Sequence, residues 1–234
     1  MSTGLRTLDL SSIHEREELR PAVGSPHQAG AWSPENFARE QIRGLVRQVF
    51  FSTGARPVRQ VVFSATEPET DVRTICRRVG EALALETARS VAVVGKYPQI
   101  LSDADTSLSE GAAYKNGGAS RQTATRVRNN LWLVPGARRG DDGITTAGLH
   151  SHLCEVRREF EYSIVAGPAA GESNAATTMA QLADGIILVL SACRTRRATA
   201  RKIKETLEGA QARILGTVLS DRVFPIPEGI YRLL

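Results

Sequence analysis

The sequence predicts an α/β fold: a mainly parallel sheet in a three-layer arrangement, with helices on both faces. Two observations predict it. Six short apolar runs, at residues 58–64, 90–94, 131–134, 163–166, 185–190 and 214–219, are continuous and do not alternate with polar residues, as expected of strands buried on both faces. Between most of them lie helical patterns, at residues 72–86, 146–159, 173–182 and 195–209. Strands that alternate with helices close into parallel sheets.

In chain order, residues 1–33 carry little apolar periodicity and several Pro, Gly and Ser. They read as a flexible amino-terminal tail, with residues 34–234 as a single α/β domain. Ser33-Pro34-Glu35 makes a helix start, the serine as cap and the proline at the first helical position. That helix runs through Phe37, Ile42, Leu45, Val46 and Val49 to about Phe51. The first apolar run leads through a turn into the helix at 72–86, where Val72, Ile75, Cys76, Val79, Ala82 and Leu83 share one face at three- and four-residue steps. From Pro98 to about Arg126 the chain is polar and rich in Gly and Ser, and reads as a long surface loop. Ser173 follows Gly171-Glu172 and caps the helix after it. The Gly-x-Ser-x-Gly elbow of a hydrolase nucleophile is not there.

Composition narrows the class. Of 234 residues, 41% are hydrophobic and 24% charged, as in an ordinary globular domain. No apolar run approaches the roughly 20 residues that cross a bilayer, and the amino terminus lacks a signal-peptide pattern. The expectation is a cytoplasmic protein. Cys76, Cys154 and Cys193 fall in apolar or helical contexts and read as reduced core residues. The net charge of +5 invites a nucleic-acid partner, but aromatics are only 5%, so stacking surfaces are scarce and that partner is disfavoured. The densest basic cluster, Arg194, Arg196, Arg197, Arg201, Lys202 and Lys204, reads as a solvated helix face before a nucleic-acid or lipid surface.

The stretch from Val61 to Thr74 has the outline of a phosphate-binding loop: an apolar strand, a turn, then an amphipathic helix. A phosphate belongs at that junction, where helix amides and dipole converge. The usual loop needs glycines for close approach, a lysine for the β- and γ-phosphates and a hydroxyl for magnesium. Here Glu69 and Asp71 stand at the glycine positions, Val72 at the lysine and Arg73 at the hydroxyl.

With those segments placed, residues 33–221 resemble the bacterial tyrosine-kinase and capsular exopolysaccharide family, within the MinD/ParA-like P-loop group. The most specific stretch is Gln181-Leu-Ala-Asp-Gly-Ile-Ile-Leu-Val-Leu190, then Arg194-Thr-Arg-Arg, a helix, and Gly209-Ala-Gln-Ala-Arg-Ile-Leu-Gly-Thr-Val-Leu219. The segment from Phe160 to Pro168 resembles the family's Walker B strand. The resemblance implies a P-loop NTPase-like fold and a nucleotide site, and this chain departs from that site throughout. Where the family has Gly-Glu-Gly-Lys-Ser-Thr, Glu69-Thr70-Asp71-Val72-Arg73-Thr74 keeps only the last threonine. Gly95-Lys96-Tyr97 replaces an Asp-Ala-Asp that aids magnesium and catalysis. Ala166 takes the Walker B aspartate's place, Ser220 that of a base-reading asparagine, and Tyr231 stands without the family's tyrosine cluster.

These positions therefore read as relics of a nucleotide site, with no catalytic residue, no metal ligand and no cofactor. ATP with magnesium enters only if the chain is an active kinase with atypical motifs. A carboxylate about 4 Å from a phosphate charge costs roughly 4 kcal/mol at an effective dielectric of 20. Micromolar binding is worth only about 8 kcal/mol. The resemblance points instead to a protein-interaction scaffold. Its partner would be a membrane polysaccharide-export or chain-length adaptor that recruits it to the inner face of the membrane, or an active homologue. A ParA-like nucleic-acid binder is the third class.

Three smaller signals remain. Arg73 and Lys96 are candidate anion contacts near the strand ends, or simply pair with Glu69 and Asp71. His150 and Cys154 share a helix face beside His152, but a zinc site needs four ligands and no second pair follows. On the first helix, Glu40 and Arg43 match two positions of the family's Glu-x-x-Arg-x-x-Arg self-assembly pattern, with Val46 at the last. Arg47 is one step away, rotated about 100°. These residues mark a homo-oligomer surface, or an amphipathic helix packed on its own domain.

Overall fold

The computed structural model describes residues 7–9, 34–52, 56–95, 123–137, 145–192 and 194–221. In chain order these form β1 (Thr7–Asp9), α1 (Pro34–Phe50), β2 (Gln60–Ala65), α2 (Val72–Glu86), β3 (Val91–Gly95), β4 (Thr125–Arg128) and β5 (Leu131–Pro135). They continue with α3 (Thr146–Glu159), β6 (Tyr162–Ala166), α4 (Asn174–Leu182), β7 (Gly185–Ser191), α5 (Arg197–Gly209) and β8 (Ile214–Ser220). The strands make one sheet in the order β1-β8-β7-β2-β6-β3-β5-β4. Neighbours run parallel except β4, which is antiparallel to β5.

Alternate residues of the strands feed two separate cores, which is why their apolar runs are unbroken. Val61, Phe63, Val91, Val93, Leu131, Ile164, Ile187 and Val189 pack under α1 and α2, with Ile42, Val46, Ile75 and Leu83. Val62, Ala92, Val94, Val134, Val165, Ile186 and Leu188 pack on the other face, against Leu153, Met179, Ile203 and Leu207 from α3, α4 and α5. Each fully buried Val, Leu, Ile or Phe contributes about 1.5–3 kcal/mol of burial, so the three layers follow from strand composition. Gly80 lets α2 lie close on the sheet: a Cβ there would sit 2.3 Å from Val93 Cγ2. Among the described residues no helix is long and apolar enough to cross a membrane.

Three expectations need correcting. Part of the expected tail is in the sheet, because Thr7–Asp9 pairs in parallel with Thr217–Leu219 of β8. Three residues are too short a run to show periodicity. The expected loop ends earlier than its composition suggests: Thr125–Arg128 is an edge strand exposed along its length, and exposure removes the apolar signal. Cys154 is exposed and not a core residue, whereas Cys76 is buried. The buried face of α3 is formed by Leu149, His152, Leu153 and Val156. The proposed Ser33 cap, Lys96, Tyr97, Cys193 and Tyr231 lie outside the described residues.

Candidate functional site

β2 is flanked by β6 and β7, so its carboxyl end is the central position at which sheets of this kind bind ligands. There the chain turns from Ala65 to Val72 without glycine. Asp71 is the N-cap of α2: Thr74 N donates to its Oδ1 at 3.2 Å and Thr74 Oγ1 to its Oδ2 at 2.6 Å. The backbone of Arg73 also donates to this carboxylate, and Val72 N donates to Thr70 O at 2.9 Å. The first three amides of α2 thus have acceptors within the chain, and they are the amides a phosphate would need. Burial alone would raise the Asp71 carboxyl. The hydrogen bonds from Thr74, with the Arg73 charge and amide, outweigh it and hold the carboxyl below its ordinary value.

The loops on either side are tied to the end of β2 by their own hydrogen bonds. After β6, Gly167 N donates to Phe63 O and Ala170 N to Ala65 O, each at 2.8 Å, and Ser64 Oγ donates to Pro168 O at 2.5 Å. Gly171 passes so close that a Cβ would lie 2.7 Å from Thr66 O, an approach only glycine permits. On the other side Thr66 and Thr195 hydroxyls both donate to Glu67 Oε2, the latter at 2.7 Å. The two hydroxyls lie 2.9 Å apart, and Thr195 Oγ1 accepts from Ser191 N at 2.9 Å. Ser191 Oγ donates to Asp221 Oδ2 at 2.8 Å, and Ser220 Oγ reaches the same oxygen at 3.2 Å. Asp221 takes a left-handed backbone, φ 57°, which aspartate tolerates better than most residues.

The positions expected as relics of a nucleotide site are spread along this edge. Glu69 and Asp71 are both exposed, and Asp71 is the one whose carboxylate is hydrogen-bonded into the first turn of α2. Thr70 supplies the carbonyl that takes the Val72 amide. Val72 is buried in the core under α2, where a lysine would leave its charge in apolar surroundings. Arg73 Nε lies 3.8 Å from Asp71 Oδ1, the pairing alternative to an anion contact. Thr74 is engaged by the cap. Gly95 ends β3 and its carbonyl accepts from Gly136 N. Ala166 ends β6 opposite Phe63. Ser220 is buried and ties β8 to β7, its carbonyl accepting from Ala192 N at 2.7 Å.

This turn differs from the ordinary phosphate loop in three ways: the first amides of α2 have acceptors within the chain, no glycine opens the approach, and Val72 stands at the lysine position. Among the described residues no group of three or more His, Cys, Asp or Glu is placed to hold a metal ion. The His150 ring and Cys154 Sγ do meet, at 3.7 Å. On α1, Arg43 pairs with Glu40 at 3.7 Å and Arg47 crosses to Glu86 of α2 at 3.1 Å. All three residues of the expected assembly surface therefore have partners within the chain.

Sequence reasoning missed Thr66, Glu67, Ser191, Thr195 and Asp221. The local signal was a threonine four residues after a strand-ending serine. Their convergence spans about 130 residues of chain and has no local trace. It also left Asp184 unexplained within its most specific stretch. That carboxylate accepts Arg59 N and Gln60 N, both at 2.8 Å, and Arg157 Nη2 at 2.6 Å, fixing the start of β2 against α3 and β7.

No protein-family model matches the sequence, and no curated protein matches it. Solved structures do. The chimerical protein CapA2B2 superposes with a TM-score of 0.64 at 17% identity, over 80% of this chain and 86% of that one. The kinase domain of Escherichia coli tyrosine kinase ETK gives 0.62 at 12% identity, over 95% and 94%. The MinD cell division protein of Aquifex aeolicus gives 0.52 at 16% identity, over 71% and 70%. The chain has the fold of bacterial tyrosine-kinase domains and of MinD-like P-loop proteins.

Proposed function

We propose that this chain is a catalytically degenerate relative of the exopolysaccharide-associated tyrosine kinases, acting as a protein-interaction scaffold in polysaccharide synthesis or export. One observation carries the reading: the Asp71 carboxylate occupies the amino terminus of α2, where the fold would seat a phosphate. Magnesium-assisted phosphoryl transfer rests almost wholly on positioning and charge. A turn that caps itself with a carboxylate and lacks the lysine supplies neither. The kinase-domain fold and the resemblance of residues 181–219 support the polysaccharide context. With no γ-phosphate to order its loops, the chain serves as a fixed-state partner and not as a switch. It works in the cytoplasm, recruited to the inner face of the membrane by an export or chain-length adaptor, or joined to an active homologue.

Titration with a fluorescent ATP analogue and magnesium tests this. No saturation is expected up to about 1 mM, a level worth only about 4 kcal/mol. Saturable micromolar binding establishes the active-kinase alternative instead. A second reading, a nucleic-acid binder, has one observation in its favour. Arg194, Arg196, Arg197 and Lys202 are exposed around the start of α5, with no side-chain partner among the described residues. Steeply salt-dependent retention on duplex DNA supports it, and no retention at low salt removes it.

A further inference from the structure

The two edges of the sheet are protected by opposite means. At one edge β4 is four residues long, exposed throughout, carries Arg126 and Arg128, and shifts register between them. Shortness, charge and a bulge are the devices that keep an edge from pairing with another chain. At the other edge β8, Ile-Leu-Gly-Thr-Val-Leu-Ser, runs seven residues without a charge or a proline. Such a strand is a template for pairing. Its cover is β1, which reaches only Thr217, Val218 and Leu219. The outer side of Ile214–Gly216 has no strand beside it among the described residues.

The cover is also far in sequence from the next described element. Between Asp9 and Pro34 lie the 24 residues 10–33, which span up to about 80 Å when extended. A three-residue strand joined to α1 through that many residues has the chain length to reach the same edge of a neighbouring molecule. Reciprocal exchange re-makes every pairing it breaks, so it is a low-cost route to a symmetric dimer.

We propose that β1 is an exchangeable strand: the Thr7–Asp9 segment of one copy pairs in parallel with Thr217–Leu219 of a second copy, and the second returns it. The occupant of the β8 edge is then a second copy of this chain, in a register already set by Leu8 opposite Val218. The dimer requires neither nucleotide nor the Glu40, Arg43 and Arg47 positions of α1, so it stands or falls apart from the scaffold reading.

The test is light scattering of the eluting full chain over about a hundredfold range of concentration. A dimer fraction that grows with concentration is expected. Leu8→Pro removes a backbone donor from β1 and should return the protein to monomer with its circular dichroism nearly unchanged, because β1 is only three residues long. Arg43→Glu, on the α1 surface, should leave the dimer intact. As a direct readout, copies carrying two different tags are unfolded and refolded together. They should co-purify as wild type and fail to do so as Leu8→Pro. A chain that stays monomeric throughout, or a dimer equally populated in Leu8→Pro, overturns the proposal. So does a dimer abolished by Arg43→Glu but not by Leu8→Pro, which assigns the interface to α1. Should Leu8→Pro misfold, deletion of residues 1–9 carries the same expectations.

Discussion

The two ends of the sheet are held by the same chemistry, yet only one of them lies where this fold binds ligands. At the amino end Asp184 takes two main-chain amides and an arginine. At the carboxyl end Asp71 takes the first turn of α2, and Glu67 takes two threonine hydroxyls. A structural carboxylate at the amino end is unremarkable. At the carboxyl end the same arrangement places negative charge on amides that a phosphate would require. The comparison teaches that the candidate site is built like the opposite end of the sheet, with its polar groups satisfied from inside.

The strongest way to break the comparison is at the amino end. Asp184→Ala should cost about 2–3 kcal/mol in urea unfolding, since an exposed and a half-buried amide lose their acceptor and Arg157 its partner. Asp184→Asn, which keeps one acceptor oxygen, should cost clearly less. A null result would remove Asp184 as a structural anchor. At the carboxyl end Thr195→Val should cost about 1–2 kcal/mol, because the Ser191 amide loses its acceptor and Glu67 one of its donors.

The cap itself gives a smaller effect. Asp71→Ala should lower stability by about 1 kcal/mol, while Asp71→Asn should stay within a few tenths. The neighbouring helix α5 has Arg196 at its N-cap with no side-chain cap bond, so Arg196→Ser should raise stability by about 0.5–1 kcal/mol. Equal and opposite thermal shifts for Asp71→Ala and Arg196→Ser would sharpen the contrast between the two turns. Shifts of the same sign would remove it.

The pH dependence is the smallest effect and separates two groups by direction and window. The Asp71 carboxyl is lowered, so its contribution is complete above its ordinary value of 3.8 and is lost as pH falls through the lower folded value. His152 is buried, with Nε2 lacking a hydrogen-bond partner among the described residues. Burial lowers its imidazolium below the ordinary 6.5, against the opposing pull of Glu155 and a hydrogen bond to the Pro135 carbonyl. The unfolded chain therefore binds that proton first, and stability falls as pH drops below 6.5. Urea midpoints from about pH 8 to about pH 5 should decline in the wild type and less so in His152→Leu. Identical slopes would exclude His152 as the source.

What the sequence by itself determined was local. It set the continuous apolar runs of the central strands, the helix at Val72–Glu86 and that at Thr146–Glu159, the Ser173 cap, and the loss of glycine and lysine between Ala65 and Thr74. Each depends on residues a few positions apart, whose spacing fixes which face is buried or which amide is reached. Tertiary structure alone decided the strand order, the pairing of Thr7–Asp9 with β8, the exposed strand at Thr125–Arg128, and the meeting of Glu67 with Thr195 and of Asp184 with Gln60. Those pairings close loops of many residues, and their hydrogen bonds form only once burial has brought distant strands side by side. No periodicity along the chain records them.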